Sequence, residues 1–384
     1  MNQIMALKGA PSGSAGGAAL DVGYAPTQQS TGAITIEVRT LAGCTDIADA
    51  WSQLAAHALE PNPFFEPGFA LAAVQHLVAF RDVVAILAWQ GGARDGQRRL
   101  VGLIPCFPRQ GLFVPDALIG FSDRRIFNGA PLLDRQQAQA VIAAVLDPSR
   151  QRLIEGRGLV LRHVDLAGLL VSSLRQETQR DGLTVSVRPV LSAMGAVAPA
   201  DSVETLREAL ALKGELTLVE SRTQSGLRDA VEIILAMEAS GPRAQAGAAT
   251  LQDTREVGFL RAMTRGLSRV RQCRVALLML DGQPIAGAIV LGRGPRGWLY
   301  LGAQEQAHAA LAPKRILLAM MRRAAPSRTI LLPGGLAASG TDAVSLGDLH
   351  LSHGTARKPR DLAGRARAAL RRSLFRLPRA GAAG

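Results

Sequence analysis

The chain has 384 residues, enough for two domains, and is 48% hydrophobic but only 4% aromatic, so aliphatic side chains and alanine must fill its cores. Three scattered cysteines (Cys44, Cys106, Cys273) without a CxxC pair argue against a disulfide framework or a zinc site, and no apolar run approaches the ~18–20 residues of a membrane span. The net charge of +13 is uneven: from Thr355 to Gly384 nine basic residues stand against the single acidic Asp361, so the body is only mildly basic.

Residues 1–32 are rich in Gly, Ala, Ser, Thr and Gln and are expected to be disordered. The opening MNQIMALKGAPSGSAGG lacks the basic start and apolar core of a secretory signal, so a cytoplasmic location is expected. Order is expected from Ala33, because Ile34, Ile36 and Val38 alternate with Thr35, Glu37 and Arg39 as on a half-buried strand. A helix follows with Ala50, Trp51, Leu54 and Leu59 inward, stopped by Pro61-Asn62-Pro63, and a second helix runs from about 67 to 78. Residues 83–89 and 100–107 read as a strand pair, and 111–134 as irregular. A helix over 136–146, a strand over 158–164, a helix over 168–180 and a strand over 183–190 complete a first α/β domain, 33–190.

Residues 191–200 read as a linker of small residues, and 201–353 as a second domain. It has a short helix near 203–212, a strand at 215–220, and helices from 224 to 239 and from about 254 to 270. Then come strand 274–280, the turn Asp281-Gly282, strand 284–291, the turn Arg293-Gly294-Pro295-Arg296-Gly297, strand 298–302 and a helix over 313–325. A short strand at 330–332 precedes a loop-like stretch, 334–353. In the tail, 354–384, Leu362, Ala366, Ala369, Leu370, Ser373, Leu374 and Leu377 share one helical side among arginines. Such a helix can lie on an anionic membrane surface, at the inner membrane face for a cytoplasmic protein. A solubilising tail without structure is the alternative. Nucleic acid is disfavoured, because Phe375 is the one aromatic among these cations.

The six histidines include no HExxH, and no metal site is expected. GxSxG and GxxxxGK[ST] are absent, which removes the main supports for serine hydrolase and P-loop chemistry. The helix start Pro313-Lys314-Arg315 is the best anion site, because unpaired backbone N–H groups and the positive dipole end there would be joined by two cations.

Several pieces in order resemble one family. They are Asp281-Gly282-Gln283-Pro284-Ile285-Ala286, Trp298-Leu299-Tyr300, Ala312-Pro313-Lys314-Arg315-Ile316-Leu317 and Met237-Glu238-Ala239-Ser240-Gly241, with Asn62-Pro63-Phe64-Phe65-Glu66-Pro67 and Gly129-Ala130-Pro131-Leu132 in the first half. Over about 45–330 the chain resembles GNAT-type acetyltransferases of the cellulose-biosynthesis class. The resemblance implies two GNAT-like α/β domains in tandem, with mixed sheets flanked by helices. It implies acetyl-CoA or another acyl-CoA as cofactor, and an amine or hydroxyl acceptor on a sugar, lipid or peptide precursor. Ile289, Val290 and Leu291 would line the pantetheine arm at an opening between strands, and Pro313, Lys314 and Arg315 the phosphates. Glu238 would be a base or an acceptor-binding carboxylate. Tyr300 would either protonate the leaving thiolate or serve as a structural strand aromatic. The family's glycine after the helix proline is Lys314 here, its W-K after the glutamate segment is Pro242-Arg243, and its closing His-Pro and Trp segment is missing after Leu332. An acyltransferase of exopolysaccharide, cellulose or cell-envelope biosynthesis is therefore expected, with an inactive GNAT-fold scaffold or binding subunit as the alternative.

Overall fold

The computed structural model describes residues 33–91, 98–107, 117–147, 158–177, 183–197, 203–221, 223–332 and 344–353. The expectations for 1–32 and for the 354–384 tail lie outside them. Residues from Ala33 onward fall in one compact unit. The fold is α/β, with mixed sheets flanked by helices, as expected.

Strand β1 (Ile34–Thr40) pairs antiparallel with β2 (Val84–Gln90), β2 with β3 (Arg99–Cys106), and β3 with the short β5 (Leu132–Leu133), forming a four-stranded sheet. Helices α1 (Ala48–His57) and α2 (Pro67–His76) lie between β1 and β2 in sequence, and α3 (Ala138–Leu146) follows β5. A nine-stranded sheet begins with β4 (Ala117–Ile119) and β6 (Gly158–Asp165). It continues through β13 (Val344–His353), β7 (Leu183–Ala196), β12 (Thr329–Leu332), β11 (Arg296–Gln304), β10 (Gln283–Leu291) and β9 (Cys273–Leu280) to β8 (Leu216–Glu220). The other helices of eight or more residues among the described residues are α4 (Leu169–Glu177), α5 (Glu204–Ala211), α6 (Gln224–Ala239), α7 (Thr254–Arg269) and α8 (Pro313–Ala324), and a single helical turn spans Pro242–Gln245.

Two stretches differ from expectation. Residues 191–196 are not a free link but the end of β7, where Met194 pairs with Val344 and Gly195 with Leu332. Residues 344–353 are a strand inserted between β6 and β7, with Leu349 opposite both Leu161 and Val187. The inward residues Val344, Leu346, Leu349 and Leu351 do alternate with others, but register shifts near Gly347 break the period of two. The last described strand thus closes the sheet of the first half, and the sheet does not break at the expected boundary.

The β9–β10 hairpin follows directly from sequence. Asp281 (φ 48°) and Gly282 (φ 76°) are both left-handed, as a two-residue turn matched to strand twist requires. Helix α2 crosses α7 at two glycines, and a Cβ on Gly266 would come within 2.8 Å of the Gly68 Cα. That close crossing brings the segment before α2 against the second half. Asn62 is fully buried, donating from Nδ2 to the carbonyls of Asn128 (3.0 Å) and Ala130 (2.6 Å) and accepting from Phe64 N (3.1 Å). Trp51 Nε1 donates to Phe65 O at 2.8 Å. Phe64 in turn meets Phe69, Phe127 and Trp298 edge to face, with centroids 5.3–5.8 Å apart.

Glu66, 3% exposed, accepts a hydrogen bond from Gln272 Nε2 across this junction. Burial pushes its carboxyl up to about 7 from an ordinary 4.5, with Arg293 and Gln272 opposing the shift. The folded protein holds this proton to about pH 7, whereas the unfolded chain releases it near 4.5. Stability from the neutral carboxyl is therefore full below about pH 4.5 and is lost as pH rises through about 7. In urea denaturation across that window, wild type is expected to lose about 2–3 kcal/mol more than Glu66→Gln, whose amide keeps an acceptor for Gln272. Equal slopes in the two proteins would show that folding leaves the Glu66 carboxyl at its ordinary value.

Candidate functional site

Strand β11 carries the feature that builds the site. Ile289 of β10 pairs with Leu301 and Val290 with Leu299, so Tyr300 stands in a β-bulge. The extra residue turns both Tyr300 and Leu301 toward the core shared with α6, α7 and the first half, while Leu299 packs in the core beneath α8. Along its other edge β11 pairs in parallel with β12 only at Arg296, Gly297 and Trp298. From Leu299 to Gln304 that edge has no strand partner among the described residues.

A cavity of about 510 Å³ opens beside the bulge, bounded by Arg125 and Phe127 of the first half, the turn 247–250, the first turns of α7, and Tyr300. The Tyr300 ring packs against Phe69, Phe127 and Phe259, with centroids 6.1, 5.9 and 6.4 Å away. Its hydroxyl makes no hydrogen bond among the described residues. Burial, then the charge of Glu256, pushes the phenol well above its ordinary range, so it keeps its proton at neutral pH.

The polar wall is one ion network. Arg125 pairs with Asp123 Oδ1 at 2.8 Å and closely with Glu256, and Arg124 reaches Glu256 Oε1 at 2.6 Å. Burial works against the Arg125 charge, but hydrogen bonds to Glu256 and Asp123 outweigh it and raise the guanidinium above its ordinary value. Burial likewise opposes ionisation of Glu256, yet Arg125 and Arg124 prevail and hold the carboxyl below the ordinary range. Glu256 also sits in the first turn of α7, where the helix dipole favours a negative charge.

Of the residues proposed from sequence, Tyr300 lines this cavity and Glu238 stands behind its wall. The Glu238 side chain is 2% exposed; its Oε2 accepts from Thr250 N at 3.0 Å, and its Oε1 lies 2.8 Å from Arg243 Nη1 without a well-aligned hydrogen bond. Arg243 also donates to Ala248 O at 3.1 Å. Glu238 thus braces the 242–250 turn, and its carboxylate does not open onto the cavity.

The expected lining by Ile289, Val290 and Leu291 is not met. All three are buried, and their strand is bonded to β9 on one side and β11 on the other. A backbone with both edges in a ladder has no groups left for a pantetheine arm. Among the described residues the open edge belongs to β11. At the start of α8, Pro313 is buried and follows Ala312 in a left-handed conformation (φ 46°). The N–H of Lys314 donates to Gln304 Oε1 at 3.2 Å, and that of Arg315 to Ala312 O at 2.8 Å. Lys314 lays its stem over Gly302, where a Cβ would approach its Cδ to 3.0 Å, and burial lowers its ammonium pKa. Arg315 is exposed. The cationic helix start exists, with part of its backbone already satisfied by the chain itself.

Sequence reasoning missed Arg125, Glu256, Thr250 and Phe259. The one visible signal was Asp123-Arg124-Arg125 inside an irregular stretch, because charges on a loop held by a rigid scaffold often line sites.

Residues 200–332 match the family described as acetyltransferase (GNAT) domain. No curated protein matches the sequence. Among solved structures, a FemX crystal structure aligns with 79% of this chain and 95% of its own at TM-score 0.51 and 10% identity, a likeness of fold alone. The C-terminal domain of a putative lysylphosphatidylglycerol synthetase from Agrobacterium fabrum aligns over 86% and 96% at TM-score 0.45 and 11% identity. A tandem GNAT protein from the clavulanic acid biosynthesis pathway aligns over 84% and 100% at TM-score 0.36 and 12% identity.

Removing the counter-ion of buried Glu238 tests how the wall is held. Because Arg243 is more than half exposed, solvent screens much of the pair, and Arg243→Ala is expected to cost about 1–2 kcal/mol in urea denaturation. In a Glu238→Gln background the same change should cost close to nothing. Equal losses in both backgrounds would mean that the pair contributes no coupling.

Proposed function

We propose that this protein transfers an acyl group from acetyl-CoA or another acyl-CoA to an amine or hydroxyl acceptor, a sugar, lipid or peptide precursor in exopolysaccharide, cellulose or cell-envelope biosynthesis. The observation that carries this reading is the bulge at Tyr300, which sets a free phenol between the open edge of β11 and the cavity. The GNAT-domain match over 200–332 supports the reaction class.

The cofactor supplies an acyl group activated as a thioester. Residues 299–304 fit an extended arm, because their outer edge is free of strand partners among the described residues. Arg315 and Lys314 at the start of α8 can meet phosphates, once Gln304 releases the Lys314 N–H. The acceptor enters the cavity held open by Arg125 and Glu256. Its nitrogen or oxygen would attack the thioester carbon as the carbon–sulfur bond breaks, Tyr300 would give its proton to the departing thiolate, and the proton shed by the acceptor would return to the Tyr300 oxygen through cavity water, leaving acylated acceptor and free thiol. Glu238 acts as a positioning residue through Thr250 and Arg243. A second reading, a GNAT-fold binding subunit without catalysis, is favoured by one observation: Gln304 occupies the helix start where phosphate would bind.

Isothermal titration with acetyl-CoA and longer acyl-CoAs separates the two. Binding is expected, and its absence for all chain lengths would leave the scaffold. Tyr300→Phe is expected to keep acyl-CoA binding and to lower kcat for thiol release by about 10²-fold. An unchanged kcat would return Tyr300 to a structural role. The nine basic residues of 355–384 support association with an anionic membrane surface. Full-length protein should sediment with anionic vesicles and lose this on deletion of 355–384; equal sedimentation would refute it.

A further inference from the structure

The adjacent residues Phe127 and Asn128 line different cavities. Phe127 lines the one beside Tyr300, whereas Asn128 lines a second, of about 290 Å³, between the 59–63 segment, the turn 167–169 and the β10–β11 hairpin. Its walls are apolar and stiff, with Pro61, Pro63 and Pro295 around the buried Trp298.

The polar groups of this cavity divide into committed and uncommitted ones. Arg296 is paired closely with the buried Asp165, whose other oxygen accepts from Ala167 N at 3.0 Å, so that pair is neutral as a unit. Glu60 accepts from Leu170 N at 2.7 Å, and burial, then the charge of Asp165, raises its carboxyl above the ordinary range. Two donors remain. Asn128 is 5% exposed, and its Oδ1 accepts from Ala130 N at 3.0 Å, which fixes the amide orientation. Its Nδ2 therefore points away from that bond, makes no hydrogen bond among the described residues, and is not sealed from solvent, so it is open to a ligand in the cavity. The half-buried Arg293 makes no ion pair among the described residues and its guanidinium makes no hydrogen bond there, although its charge is felt by the buried Glu66 carboxyl.

We propose that this second cavity binds a small carboxylate, with the Arg293 guanidinium and the Asn128 Nδ2 as donors to its two oxygens and the proline and tryptophan walls around its apolar body. A planar monoanion matches a planar guanidinium and one amide donor. A phosphate dianion would meet Asp165 and Glu60 with Arg293, which also faces Glu66, as the one cation outside an ion pair to balance it. The site stands apart from Tyr300 and does not rest on the acyl-transfer reading.

The test is titration of the full-length protein with propionate, followed by intrinsic tryptophan fluorescence and calorimetry, with inorganic phosphate and ethylammonium as comparison ligands. Saturable binding of propionate in preference to both is expected. Arg293→Gln should weaken it about 10-fold, the value of one charge-assisted hydrogen bond. Asn128→Asp keeps the oxygen that Ala130 needs but turns the free donor into an acceptor, and should abolish binding. If that variant fails to fold, the half-buried Arg293→Gln carries the test alone. No saturation by propionate, equal affinity in Arg293→Gln, or preference for phosphate or ethylammonium would overturn the proposal. Binding retained in Tyr300→Phe keeps this outcome separate from the fate of the acyl-transfer activity.

Discussion

The side chain of Asn62 is the constraint on which both cavities depend. It is fully buried and uses both ends of its amide, tying the turn before α2 to the backbone of Asn128 and Ala130. An apolar residue of similar size would leave two carbonyls and one N–H without partners in a dry interior, a cost that close packing could not offset. Because Asn62 holds the 128–130 segment, Phe127 is set against Tyr300 on one side and Asn128 against the β10–β11 hairpin on the other. Pro63 restricts Asn62 to the extended conformation it adopts (φ −134°, ψ 101°) just before the short helical turn Pro63–Phe65, so the latch forms with little freedom to lose.

A second layer of control comes from the way the sheet is closed. Strand β13 fills the place between β6 and β7, while β7 reaches past it to pair with β12. The two halves of the chain are therefore joined by main-chain hydrogen bonds as well as by side-chain contacts at Gly68, Gly266, Glu66 and Gln272. A cavity bounded by Arg125 from one half and Tyr300 from the other needs such rigidity, because its ion network keeps its strength only if the charges stay close and shielded from water.

Much of the fold was legible along the chain. The helix after Pro313, the Asp281-Gly282 turn and the three strands around it follow from local rules of φ, capping and alternation. The candidate site was less legible, for reasons tied to particular residues. In an unbroken strand alternation would set Tyr300 and Leu301 on opposite faces, and only the bulge brings both to one side. Glu238 lies on a helix face that sequence could identify, but whether its carboxylate meets substrate or Thr250 depends on how residues 242–250 fold back over it.

The sequence by itself determined the elements, because helix starts, tight turns and strand alternation are written in residues a few positions apart. It also determined that a cationic helix start would follow three strands. The tertiary structure alone decided which strand edge stays open, which tyrosine face meets a cavity, and that residues 344–353 are a strand. Each of these rests on partners far apart in the chain: the outer edge of β11 beyond Trp298 has no strand partner among the described residues because β12 meets only its first residues, and β13 is a strand because β6 and β7 flank it. Local pattern states what a segment can become, and pairing across the fold selects among those outcomes.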